Sequence, residues 1–125
     1  MGVAVQLKTV LIVDEDLGFV FWLGHLLNSA GYQVWPARNG EDAAALMEEL
    51  GAELDLLIID PNLRGSAAFM EAQRSSRAFH TIALERPEEW ARPAAGVDIA
   101  LAKPQHPDEL SGLEWIAAIQ NLIPS

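Results

Sequence analysis

A chain of 125 residues with 18 Asp+Glu against 8 Lys+Arg carries a net charge of −10, and it has no cysteine. The length fits one domain with its own core, and the charge argues against a nucleic-acid-binding surface. Missing thiols remove disulfides, thiolate catalysis and thiolate zinc sites, and an apolar share of 50% excludes a disordered chain.

The first residues, Met1 to Gln6, lack the basic flank and long apolar stretch of a signal peptide. No apolar run approaches the ~20 residues that span a bilayer. The expectation is a soluble cytoplasmic protein away from the membrane.

Thr9 to Val13 is a short apolar run rich in β-branched residues and reads as a strand buried on both faces. Leu17 to Ala30 has helical spacing, with Asp16 as its cap and Gly31 as its stop. Gln33 to Ala37 reads as a strand, and Pro36, which lacks a ladder donor, places it at a sheet edge. A helix is predicted over Glu41 to Leu50, with Gly51 after it, then a strand over Leu54 to Ile59. The next helix runs from about Ser66 to Arg74, and the next strand from Thr81 to Leu84. Between Arg86 and Ala95, Pro87 can begin a helix that Pro93 cuts after about one turn, so any helix here is short. Ile99 to Ala102 reads as a strand, and Pro107 or Asp108 to Leu122 as the last helix.

That last helix is apolar on two sides. Leu110, Leu113, Ile116, Ala117 and Ile123 read as the face against the sheet. Trp115, Ala118, Ile119 and Leu122 form a second stripe. It reads either as a surface for a downstream partner or a second copy, or as packing of Trp115 against Trp90.

The alternation of strands and helices predicts an α/β three-layer sandwich with a mostly parallel sheet. In such folds the site lies at the carboxyl ends of the strands. Four strands end in ionisable residues: Asp14-Glu15-Asp16, Asp60, Glu85 and Lys103-Pro104. Any one of these acids reads equally well as merely solvated. Several of them beside one of only two lysines, Lys8 and Lys103, form a set. Clustered carboxylates call for a cation, and oxygen ligands suit magnesium, which takes one or two carboxylates and keeps several waters. A carboxylate nucleophile, a metal and a lysine are a kit for phosphoryl transfer to an aspartate.

The chain resembles the receiver domain of two-component response regulators from about Lys8 to Leu122, which makes residues 1–125 a single receiver domain. The resemblance is carried by Val10 to Asp16, by Gly31 to Val34 with Ala37 to Ala43, by Leu56 to Asp60, and by Gly96 to Pro104. It implies a five-stranded parallel sheet in the flavodoxin-like order 2-1-3-4-5, and Asp60 as phosphoacceptor. It also implies Mg2+ held by Asp14, Glu15, Asp60 and the backbone carbonyl of Asn62, with Glu15 closer to the metal than Asp14. Lys103 would contact the phosphoryl group. The donor would be a histidine kinase or phosphotransfer protein, and the output altered partner binding rather than an enzyme's turnover.

The chain departs from that family at several positions. Glu85 stands where a Thr or Ser hydroxyl normally binds the phosphoryl oxygen. An ionised carboxylate cannot donate that bond, and two like charges about 4 Å apart repel by about 4 kcal/mol at an effective dielectric of ~20. Two readings are open: Glu85 pairs with Lys103 and imitates the phosphorylated arrangement, or it points to solvent. Ala100 replaces the aromatic switch residue, Arg64 replaces a proline, and Ala68 a glycine. Arg64 reads as an exposed loop residue or as a second cation for a phosphoryl group. Glu85 and Ala100 motivate an alternative function, an interaction module independent of phosphorylation.

Other signals are weaker. His25, His80 and His106 lack metal-ligand spacing, and Phe19, Phe21 and Trp22 read as core and boundary packing. The haloacid-dehalogenase phosphatases also place a nucleophilic Asp after an apolar strand. They carry a second Asp two residues on, where this chain has Asn62, and their strand lies near the N-terminus.

Overall fold

The computed structural model describes residues 7–50, 54–76, 79–84, 97–104 and 107–124. In chain order these form β1 (Thr9–Val13), α1 (Leu17–Ser29), β2 (Gln33–Ala37), α2 (Gly40–Leu50), β3 (Leu56–Ile59), α3 (Ser66–Ser76), β4 (His80–Leu84), β5 (Ile99–Leu101) and α4 (Glu109–Leu122). The five strands make one sheet in the order β2-β1-β3-β4-β5, and every pairing is parallel. The expected order and the edge position of the Pro36 strand are both observed. The shortened helix expected between β4 and β5 lies outside the described residues.

Two apolar layers explain why the strands are unbroken apolar runs. Val10, Ile12, Leu56, Ile58, Ile82 and Leu84 point to one side, against Phe19, Val20, Leu23 and Leu27 of α1 and Trp115 and Ile119 of α4. Leu11, Val13, Leu57 and Ile59 point to the other, against Ala43 and Met47 of α2 and Phe69 of α3. Successive side chains alternate between faces, and because both faces are covered no polar alternation survives.

Local chemistry sets the ends. The Asp16 side chain accepts the Phe19 N–H at 3.2 Å and starts α1, while Gly31, at φ +97°, turns the chain after it. Asp108 and Ser111 form a reciprocal capping box on α4. On the other side of the sheet, Gly40 at the start of α2 meets the loop before α3. A Cβ there would stand 2.1 Å from the Gly65 carbonyl, and Gly65 itself has φ +76°. The Gly40 N–H donates to the Arg64 carbonyl at 2.9 Å, which ties the loop after β3 to α2.

The expectation for the two stripes of α4 is reversed at its large residues, although Ile116 of the expected inner face is half-buried against the core. Trp115, Ile119 and Gly112 are buried, whereas Leu110 and Leu113 are 67% and 62% exposed. Gly112 faces α1, where a Cβ would make only ordinary contact with Leu26 at 3.4 Å, so the physical reason is the size of the ring that is turned inward. Trp115, with the larger area to bury, then packs edge-on to Phe19 at 5.7 Å between centroids. Ile123 is buried as expected, and its carbonyl accepts from the Tyr32 hydroxyl at 2.8 Å. Trp115 and Ile119 are therefore core rather than a partner surface, and Trp90, the other neighbour expected for Trp115, lies outside the described residues. Phe21, expected at the core or its boundary, is 66% exposed. No helix of the described residues is long and apolar enough to cross a membrane.

Candidate functional site at the carboxyl ends of the strands

The central strands β1 and β3 pair Val13 with Ile59, so the residues that follow, Asp14 and Asp60, leave the sheet side by side. Each is still tied to the ladder. The Asp14 N–H donates to the Ala37 carbonyl at 3.0 Å, and the Asp60 N–H donates to the Val13 carbonyl at 3.1 Å. Their backbones are thus fixed by the sheet.

The loop after Asp60 folds onto it. Asp60 Oδ1 accepts the Asn62 N–H at 2.9 Å, and the buried Ser66 hydroxyl donates to the Asp60 carbonyl at 2.8 Å. Ser66 and the Gly40–Gly65 contact went unrecognised in the sequence. The Gly65-Ser66 pair ahead of a helix was a signal, but its partner Gly40 is distant along the chain. Asp60 itself is half-buried and Asn62 is exposed.

Among the described residues Asp14 is the deepest charge, with its side chain fully shielded from solvent. Its Oδ1 accepts the Asp16 N–H at 3.3 Å. Its Oδ2 receives no hydrogen bond from the described residues, but the Lys103 ammonium stands 2.9 Å away as an ion pair. Lys103 follows β5 and also lies 3.9 Å from Asp16 Oδ2. Two of the expected site residues are therefore in direct contact, and a second acid, Asp16, joins them.

Glu15 is exposed and lines a groove of about 400 Å³ with Leu17, Arg38, Asn39, Leu63 and Arg64 at the rim of the site. Arg64 is exposed and its Nε lies 3.5 Å from Glu41, so it is held by α2. A larger hollow of about 610 Å³ lies at the opposite end of the sheet, lined by Lys8, Asp55 and His80 among others. It is remote from Asp14 and Asp60. Ala100 is half-buried in β5, paired with Ala83. Glu85 and His106 lie outside the described residues. His25 is exposed, and His80 pairs with Asp98 at 3.3 Å.

Among the described residues no three His, Asp or Glu side chains gather closely enough to form a metal cage. A magnesium ion does not require one, since one or two carboxylates and several waters suffice. The buried Asp14 carboxylate, whose Oδ2 is met only by the Lys103 ammonium, and Asp60 at the adjacent strand end are oxygen donors of a kind that fits such an ion.

No protein-family model matches the chain. Over 70 residues it is 33% identical to the sensor kinase CckA of Brucella abortus, a match that covers 54% of this chain and 7% of that protein. The chemotaxis response regulator CheY4 of Vibrio cholerae superposes with a TM-score of 0.74 at 24% identity, covering 94% of this chain and 100% of the other. A CheY-like response regulator receiver domain from Methylobacillus flagellatus gives 0.70 at 23% identity, covering 91% and 98%. The receiver domain of the hybrid histidine kinase CckA gives 0.67 at 24% identity, covering 89% and 97%. With its strand order and parallel pairing, the chain has the CheY-like fold of response regulator receiver domains.

Proposed function

We propose that this chain is a phosphoacceptor receiver domain in a phosphorelay, with Asp60 as the residue modified. The observation that carries the reading is the placement of Asp14 and Asp60 at adjacent strand ends, with Lys103 Nζ 2.9 Å from Asp14. An Asp60 carboxylate oxygen attacks the phosphorus of a phosphohistidine on a histidine kinase or phosphotransfer protein. An O–P bond forms, the P–N bond breaks, and the imidazole leaves with its electron pair and takes up a proton. Asp14, Asp60, Glu15 and the Asn62 carbonyl would hold Mg2+, which when bound neutralises phosphoryl oxygens. Lys103 offers its ammonium to the same oxygens as a point charge. The likeness to the CckA receiver domain supports a histidine kinase or phosphotransfer donor. Output through partner binding, in the cytoplasm and without turnover of a substrate, follows from the same reading.

Incubation with Mg2+ and a small phosphoramidate, followed by intact-mass measurement, tests this. The expected result is one added phosphoryl group in the wild type and none in Asp60→Asn. An unmodified wild type, or an adduct that survives Asp60→Asn, sinks the proposal. Ala100 favours a second reading, because a half-buried alanine offers no aromatic rotamer to couple to phosphorylation. In that reading the domain binds its partner unmodified, and Asp60→Asn leaves partner binding unchanged.

A further inference from the structure

Ser66 is a fully buried hydroxyl that the phosphoryl transfer proposed above does not use. It donates to the Asp60 carbonyl at 2.8 Å. That carbonyl stands just past the end of β3, and its other donor is the Leu63 N–H at a longer 3.3 Å. Solvent does not reach Ser66, so water cannot replace the hydroxyl if it is lost.

The hydroxyl stands on a fixed platform. Ser66 opens α3, its N–H donates to the Leu63 carbonyl at 3.0 Å, and the Phe69 N–H donates to the Gly65 carbonyl at 2.9 Å. Phe69 is buried in the layer that holds Leu57 and Ile59. Gly65, at φ +76°, turns the chain so that Ser66 returns to Asp60, a conformation that suits glycine. Asp60 is therefore gripped on both sides of its Cα. Its N–H is held by the Val13 carbonyl at 3.1 Å, and its C=O by Ser66. With both peptides fixed, the Cα–Cβ bond has one direction. The Asn62 N–H then holds Oδ1 of the carboxylate at 2.9 Å, in the turn that an Asp side chain makes with the backbone two residues on. Among the described residues no hydrogen bond reaches Oδ2, so Oδ2 is the oxygen free to attack.

We infer that Ser66 is a positioning residue for the phosphoacceptor: by holding the Asp60 carbonyl it keeps the turn to Asn62 closed and presents Oδ2 to the incoming phosphorus. The inference rests on the reading of Asp60 as phosphoacceptor. The bonds exchanged are those given above, an Oδ2–P bond for the P–N bond of the donor. Ser66 touches neither donor nor phosphoryl group and acts through Asp60. Reacting atoms must be aligned before attack, and a misplacement of about 1 Å can cost about 100-fold in rate. Without the hydroxyl the carbonyl keeps only the longer Leu63 bond, and the carboxylate samples orientations that turn Oδ2 away.

The test compares two buried hydroxyl-to-carbonyl bonds of equal length. The Tyr32 hydroxyl donates to the Ile123 carbonyl at 2.8 Å, at the amino ends of the strands. Tyr32→Phe removes that bond and is the structural control. Ser66→Ala removes the bond to Asp60, and alanine suits a helical turn. Ser66→Thr keeps a hydroxyl. Each protein is incubated with phosphoramidate in saturating Mg2+, and the rate of phosphoryl addition by intact mass is divided by the folded fraction from circular dichroism. Ser66→Ala is expected to slow the reaction by about 10- to 100-fold, while Ser66→Thr and Tyr32→Phe stay close to the wild type. In 15N-labelled protein the Asn62 amide proton is expected to move upfield in Ser66→Ala and to stay in Tyr32→Phe. If Ser66→Ala reacts as fast as Tyr32→Phe, the hydroxyl is structural only and the inference is wrong, while Asp60 stands as phosphoacceptor. A slow Ser66→Thr overturns it too, because the hydroxyl is then not the acting group. So does a slow Ser66→Ala with the Asn62 amide unmoved, because the turn is then not what acts. An unmodified wild type removes both readings together.

Discussion

The Asp14–Lys103 pair shows how one contact serves both stability and chemistry. A buried carboxylate stripped of its partner costs more than the pair contributes, because its desolvation is then uncompensated. Without divalent cations, Lys103→Met is therefore expected to destabilise the domain by about 1–3 kcal/mol. Asp14→Asn in the same chain should recover part of that loss, since the charge left behind is gone. Urea unfolding of the two single variants and the double variant checks this as a cycle, and strictly additive losses would show that the pair is not coupled. A second residue, Asp108, gives a pH dependence of known sign. The Ser111 N–H, and after it the Ser111 hydroxyl, hold its carboxyl below the ordinary value of 3.8. The folded pKa is the lower one, so this contribution is fully present above 3.8 and is lost as pH falls through the folded value. Asp108→Asn keeps a capping side chain but does not titrate. The stability gap between wild type and variant should narrow from neutral pH to well below 3.8, measured by urea unfolding at each pH. A constant gap would mean that the cap does not favour the charged form.

At the scale of elements, the clear signals came from segments whose surroundings are uniform. β1 and β3 are covered on both faces, so their sequence is apolar throughout and their extent was legible within a residue or two. Asp14, Asp60 and Lys103 were legible as strand-end residues, and the resemblance assigned them roles. The contact of Lys103 with Asp14, Asp16 and the Phe19 ring was not legible, because it depends on how the segment after β5 crosses toward β1. α4 misled for a different reason. Both of its sides carry large apolar residues, so periodicity alone cannot rank them. The decision lies in tertiary packing, where the large Trp115 ring meets Phe19 of α1. This has a measurable consequence. Trp115, 4% exposed, and Leu113, 62% exposed, should respond oppositely to truncation. Trp115→Ala is expected to cost about 3–5 kcal/mol as a core cavity. Leu113→Ser should stay within about 0.5 kcal/mol, as surface substitutions usually do. Chemical denaturation of both variants decides the orientation, and a large loss at Leu113 would reverse it.

For the whole molecule, the charge of −10 is both a general strain and a local resource. Excess charge of one sign repels itself and weakens the compact state, and any salt relieves this by screening. The carboxyl ends of β1 and β3 place Asp14 and Asp60 at adjacent strand ends, where the proposed function puts a dication. These two effects separate experimentally. Monovalent salt should raise the thermal midpoint gradually and equally in wild type and Asp14→Asn. Mg2+ at the same ionic strength should add an increment in the wild type alone, because a ligand that binds only the folded state stabilises by mass action. At a concentration about 100 times its dissociation constant the increment is about 2.7 kcal/mol, which for a domain of this size corresponds to roughly 10 °C. Differential scanning calorimetry in matched NaCl and MgCl2 measures it. An increment of the same size in Asp14→Asn would assign the effect to screening and remove Asp14 from the site. An increment lost in Asp14→Asn and also in Asp60→Asn would place both carboxylates on one ion, as the proposed function expects.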